Sequence, residues 1–155
     1  MKSLEAWLEE YGESHQNKTN KAIHWVCVPV IYLTVMGLLW SVPVPEFMQA
    51  YPGVNWASLM MIPVLVFYFR LSLLIGLGMS LFSLGCWWSL AWYESLAHWD
   101  VWVMSLLVFA VMWVGQFIGH AIEGKKPSFF KDLQFLLIGP AWVMAYFLNK
   151  LSAKP

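Results

Sequence analysis

Apolar and polar positions follow a helical period at the start of the chain. Leu4, Trp7, Leu8 and Tyr11 recur at i, i+3, i+4 and i+7, with Glu5, Glu9, Glu10 and Glu13 on the opposite face. This predicts an amphipathic helix over residues 2–14. Its large rings suit the headgroup layer of a bilayer, although an acidic polar face is the reverse of the lysine-rich faces that bind anionic lipid. Packing against the protein's own membrane helices would cover the same stripe. Further on, the period gives way to long apolar runs. Residues 22–42 are long enough to cross a membrane, with Trp25 and Trp40 near the ends, where aromatic belts lie. "SVPVPE" ends that run. The stretch 57–92 is too long for one crossing and contains Arg70, whose charge is costly at the bilayer centre. It therefore divides into a short segment, 57–69, with Pro63 inside it, and a longer one, 71–92, on which Gly76 and Ser80 form a small-residue face. Segment 101–118 follows. Segment 133–148 carries Gly139-Pro140 in its middle, which predicts a kink or a re-entrant turn. The fold class expected is all-α: one membrane domain over residues 1–155, an integral helical bundle of about four to five membrane helices plus the amphipathic helix.

Composition points to the bilayer as the chain's surroundings. The chain is 60% apolar and 12% charged, against about 45–50% and about 25% in soluble domains. Its formal net charge of zero argues against a nucleic-acid partner. Cys27 and Cys86 both sit in apolar runs without zinc-ligand spacing, so neither a disulfide framework nor a thiolate site is expected. The first apolar run is long enough to span and lacks a clear small-residue cleavage site, so the N-terminus is expected to be retained. With 57–92 as a hairpin, Lys18, Lys21, Arg70, Lys125, Lys126 and Lys131 fall on one side, which the positive-inside rule makes cytoplasmic. Lys150 and Lys154 fit only if the last segment turns back or determines topology poorly.

Three of the four histidines, His15, His24 and His120, gather on that cytoplasmic side, and His98 of "YESLAHWD" lands opposite with Glu94. His15 and His24 are nine residues apart. On one unbroken helix that is about 900° of rotation and roughly 13 Å of rise, so the rings would point apart. "QNKTN" predicts a break at Asn17–Asn20, with Thr19 or Asn20 as N-cap, and the break lets His15 fold back beside His24. His120 and Glu123 share a helix face at i, i+3. Three imidazoles and a carboxylate suit iron(II), manganese or zinc, and Asn17, Asn20, Gln116 and Asp132 are available to orient the rings. Taken singly, each histidine is an ordinary interfacial residue, and Glu123 equally fits a solvated charge paired with Lys126. Nucleotide fingerprints, serine-hydrolase elbows, phosphate loops and H-E-x-x-H are all absent from the sequence.

"YGESHQNKTNKAIHWVCVP" and "WVGQFIGHAIEGKKP" resemble the two polar motifs of a small multi-pass membrane family whose fungal member is an iron(II)-dependent 2-hydroxy fatty acid dioxygenase. The likeness spans nearly the whole chain in order and length, but the middle spans match only in hydrophobic character. It implies α-oxidation: a long-chain 2-hydroxy fatty acid reacts with O2 and loses its carboxyl carbon as CO2. It also implies an Fe(2+) site at His15, His24 and His120, with Glu123 a further participant. Lys21, Lys125 and Lys126 are the residues expected to draw in the acid headgroup. The partners expected are thus the 2-hydroxy fatty acid, O2 and the lipid bilayer, in a bacterial inner membrane or a eukaryotic endoplasmic reticulum. Two other classes compete. One is a zinc-dependent membrane lipid hydrolase with the same ligands, and the other is a non-enzymatic scaffold or lipid-binding protein whose histidines cap helices. Membrane di-iron hydroxylases carry more histidines than the four present.

Overall fold

The computed structural model describes residues 2–51, 53–96, 99–126 and 134–152. His98, Lys131, Asp132 and Lys154 lie outside the described residues. Seven helices and no strand occur among those described: α1 (Leu4–Gly12), α2 (Lys18–Trp40), α3 (Glu46–Gln49), α4 (Trp56–Leu71), α5 (Leu73–Leu96), α6 (Val101–Glu123) and α7 (Phe135–Ser152). Helices α2, α5 and α6 are long and apolar enough to cross a membrane. Two shorter apolar helices, Trp56–Leu71 and Phe135–Lys150, accompany them. Leu74, Leu81, Trp88, Val111 and Val114 stand exposed on the outside. So much outward apolar surface suits lipid rather than water.

Local chemistry sets the helix ends. Ser3 caps α1 by accepting the Ala6 N–H at 3.2 Å. The apolar stripe then turns inward: Trp7 and Tyr11 are buried against Phe135 and Ile138 of α7, with the Trp7 and Phe135 rings edge to face at 5.4 Å. Of the two placements open to this stripe, the chain uses packing on its own helices. The cap of α2 is Asn17, not Thr19 or Asn20, and its side chain accepts from the N–H groups of both. Helix α4 opens on a capping box between Asn55 and Ser58. It ends at Leu71, two residues before α5 begins, with Ser72 extended between them. Helix α7 continues through Gly139-Pro140 as one element rather than re-entering. Nearby, the buried Tyr68 hydroxyl donates to the Leu137 carbonyl at 3.0 Å.

Helices α2 and α6 run antiparallel in close contact because small residues face the partner helix. A Cβ at Gly115 would lie 2.9 Å from Cys27 Sγ. One at Gly37 would collide with Ser105, and one at Gly119 with Asn20 Oδ1. Such faces let helix backbones approach where lipid supplies no hydrophobic drive. The register they set brings His24 opposite His120. At the other end of α2, Trp40 donates its indole N–H to Glu94 at 3.0 Å, so Glu94 acts in packing, far from the histidines.

Candidate metal centre

His15, His24 and His120 come together from three different elements: the turn after α1, the second turn of α2 and the last turn of α6. All three are buried, and one ring nitrogen from each lies within 4.8 Å of the others. His24 Nε2 and His120 Nε2 are 3.2 Å apart.

Backbone carbonyls fix two of the tautomers. His15 Nδ1 lies 2.7 Å from the Tyr11 carbonyl and His24 Nδ1 lies 3.0 Å from the Asn20 carbonyl. A carbonyl only accepts, so each Nδ1 carries its proton and each Nε2 presents a lone pair. Histidines that ligate metals usually donate their second ring nitrogen in this way. His15 Nε2 and His120 Nδ1 are buried with no hydrogen-bond partner among the described residues. Burial lowers the His15 pKa to about 4, which outweighs the opposing pull of the Tyr11 carbonyl, so the imidazole stays neutral at physiological pH. Buried imidazole nitrogens without partners, beside the close approach of His24 Nε2 and His120 Nε2, are an arrangement that a cation completes. The residues present therefore fit a metal ion, and three imidazoles leave positions open for other ligands.

Glu123 lies beside this cluster but has other partners. One carboxylate oxygen accepts the Gln16 N–H at 2.9 Å, and the other accepts the Asn17 N–H at 2.8 Å and Asn20 Nδ2 at 3.0 Å. Asn20 also donates to the Ser14 carbonyl at 3.1 Å. Glu123 thus ties the end of α6 to the turn that holds His15 and to the first turn of α2. Lys125 adds a second tie by donating to the Glu13 carbonyl at 2.7 Å. Lys126 is exposed and Lys21 half-buried, and neither lines the cavity described next.

A cavity of about 570 Å³ begins at His120. Its polar end is lined by His120, Gln116, Tyr11 and Gln134, and the remainder is almost wholly apolar. Gln116 sits one helical turn before His120 on the same face of α6. Tyr11 stacks on His15 with ring centroids 4.3 Å apart, and Trp142 lies 5.3 Å from the same imidazole. Burial raises the Tyr11 pKa, so the phenol remains a proton donor. In the sequence Tyr11 stood as a stripe residue and as the first residue of the "YGESHQNKTNKAIHWVCVP" motif, with no role at the site. Its i, i+4 spacing to His15 was the signal that it belongs to the site.

The close meeting of α2 and α6 leads to a prediction. Gly119→Ala places a methyl against Asn20 Oδ1 and 3.3 Å from His24 Cε1. A stability loss of about 1–3 kcal/mol is expected from such overpacking, read as a lower Tm in detergent together with weaker metal uptake. An unchanged Tm would contradict the close register of the two helices.

Fold and site together define an α-helical membrane protein with a buried three-histidine cluster opening on an apolar cavity. Residues 1–151 match the family described as 2-hydroxy-palmitic acid dioxygenase Mpo1-like, and the chain belongs to that family. It is 28% identical over 156 aligned residues to the 2-hydroxy-palmitic acid dioxygenase MPO1 of Saccharomyces cerevisiae, covering 98% of this chain and 83% of the yeast protein. No solved structure matches the chain.

Proposed function

We propose that this protein is an iron(II)-dependent dioxygenase that converts long-chain 2-hydroxy fatty acids to the acid one carbon shorter plus CO2. The observation that carries the reading is the convergence of three buried imidazoles at the polar end of an apolar cavity. Membership of the family and the name of the yeast relative support the substrate class. The reaction balances without a further reductant. A 2-hydroxy acid and O2 give the shortened acid, CO2 and water, and the four electrons that the carbon chain releases are those dioxygen takes up.

His15, His24 and His120 would hold the metal. Iron(II) bound there would supply open coordination positions and the one-electron steps that let dioxygen react with a closed-shell acid. The remaining tasks fall to this chain's own residues. The Nδ1–H groups of His15 and His24, held by carbonyls, keep both rings aimed inward. The Gln116 amide and the protonated Tyr11 hydroxyl, both on the cavity wall, donate hydrogen bonds to the acid's carboxylate. Tyr11 and Trp142, packed on His15, exclude water from that side. Lys125 and Glu123 hold the turn in place. We assign Glu123, expected from the sequence as a further participant at the metal, a positioning role, a reading supported by the three N–H donors its carboxylate accepts from. We place the protein as a multi-pass membrane protein with the histidine end cytoplasmic, where a lipid headgroup meets the cluster while its tail stays in hydrocarbon.

The test is anaerobic purification in detergent, iron(II) loading, then 2-hydroxypalmitate with air and mass spectrometry of the fatty acids. Pentadecanoic acid that needs both iron and oxygen is the expected product. Stoichiometric metal without any shortened acid would transfer the site to another lipid reaction, such as zinc-dependent hydrolysis. Neither metal nor product would leave a scaffold.

A further inference from the structure

The cavity extends well past the histidines, and its far end is built differently from its near end. On α6 the lining stops at Phe109, and on α7 it stops at Pro140. Beyond them the walls are α2 and α4 alone, through Val35, Met36 and Leu39 on one side and Ala57, Met60 and Met61 on the other. We infer that this end, where Leu39 and Ala57 are the last residues on the two walls, is a stop that measures the length of an acyl tail entering sideways from the bilayer. The substrate class rests on the proposed function; the walls and the stop do not.

Three observations favour an acyl chain as the occupant. The first is polarity: the polar lining gathers beside His120, and from Val28 onward it is apolar except for Tyr32, whose hydroxyl is bonded to Ser83 at 2.7 Å, the distribution of a headgroup with a hydrocarbon tail. The second is size. From Val28 to Leu39 the lining of α2 runs about 16 Å at 1.5 Å per residue, close to the ~15 Å depth of one leaflet. The volume of about 570 Å³ is that of a space for a long-chain acid rather than a small solute. The third is access: Val35 and Met60 are 41% and 51% exposed, so the side of the cavity opens outward where lipid would lie.

The residues at this end are also firmly anchored. Ala57 is 1% exposed and sits in the first turn of α4, behind the Asn55–Ser58 capping box. The neighbouring Trp56 indole donates to the Pro43 carbonyl at 3.1 Å, which anchors the start of the helix. Met36 packs into the cluster with Cys86 and Leu90. A tail reaching this floor cannot push it aside cheaply, and Ala57 is its smallest side chain, so bulk added there shortens the space available.

The experiment compares Ala57→Phe and Leu39→Ala with wild type in iron-loaded protein in detergent, across saturated 2-hydroxy acids from about ten to twenty carbons. Two quantities are read: kcat/KM in air and equilibrium binding under nitrogen. Ala57→Phe is expected to impose a penalty that grows by about fourfold for each methylene that no longer fits, so the ratio of sixteen- to ten-carbon acids falls at least about tenfold. Leu39→Ala is expected to move the preference about two carbons longer. A uniform loss across all lengths, or unchanged length profiles in both variants, would overturn the stop. So would a tightly held phospholipid that no hydroxy acid displaces. If Ala57→Phe does not fold, the Leu39→Ala profile decides alone. Binding that follows chain length without turnover in wild type would sink the dioxygenase reading and leave the stop standing.

Discussion

His120→Ala is expected to abolish turnover, lowering product formation by at least about a thousandfold, since a catalytic metal contributes several kcal/mol and each ~1.4 kcal/mol is a factor of ten. The substitution removes one of three converging nitrogens and leaves His24 Nε2 facing a space of imidazole size. The fold should survive it. The ring has no tie other than His24 among the hydrogen bonds described here, and the contact between α2 and α6 is maintained by Gly115, Gly119 and the Glu123 carboxylate. Added imidazole should enter the vacated space and restore part of both metal content and activity, which a merely structural histidine would not permit. Turnover within a few fold of wild type would remove His120 from the site.

Glu123→Ala is expected to act at a distance from the metal. It strips three donors, the Gln16 and Asn17 N–H groups and Asn20 Nδ2, of their shared acceptor. Hydrogen bonds to a charged group are individually strong, so a loss of about 2 kcal/mol in stability is expected. Metal affinity should fall about 10- to 100-fold as the turn carrying His15 loosens. Glu123→Gln should rescue poorly, because an amide offers one acceptor oxygen where the carboxylate offers two. The cobalt(II)-substituted protein separates positioning from ligation. Its visible spectrum should keep its shape in Glu123→Ala once the metal is saturated, whereas a changed spectrum would make Glu123 a ligand.

The helices were legible in the sequence because each apolar run had to be long enough for hydrocarbon, and Arg70 and "SVPVPE" marked where the runs end. The gathering of His15, His24 and His120 was legible too, since the basic residues beside them put those run ends on one membrane face and the "QNKTN" break lets His15 fold back. Local competition hid the cap: Asn17, Thr19 and Asn20 all suit an N-terminus, and only the tertiary position of Glu123 favours a turn that closes at Asn17. From its spacing to His120 the same carboxylate could share an ion with that ring, orient it, or stand as a solvated charge beside Lys126. Its actual partners lie more than a hundred residues away in sequence and could not be counted along a helix. The cavity was out of reach for a similar reason. Its far walls come from the apolar stretches of α2 and α4, which give no sign in sequence of which residues line a space and which face lipid.

The central claim is that the substrate itself supplies all four electrons to dioxygen at a three-histidine iron site. The most direct measurement follows oxygen uptake and release of labelled CO2 together, from 2-hydroxypalmitate labelled at the carboxyl carbon, with iron-loaded protein and no added reductant. The account expects about one CO2 released for each O2 consumed, with both absent in His120→Ala. Oxygen uptake that requires an external reductant, or that proceeds without CO2 release, would contradict it.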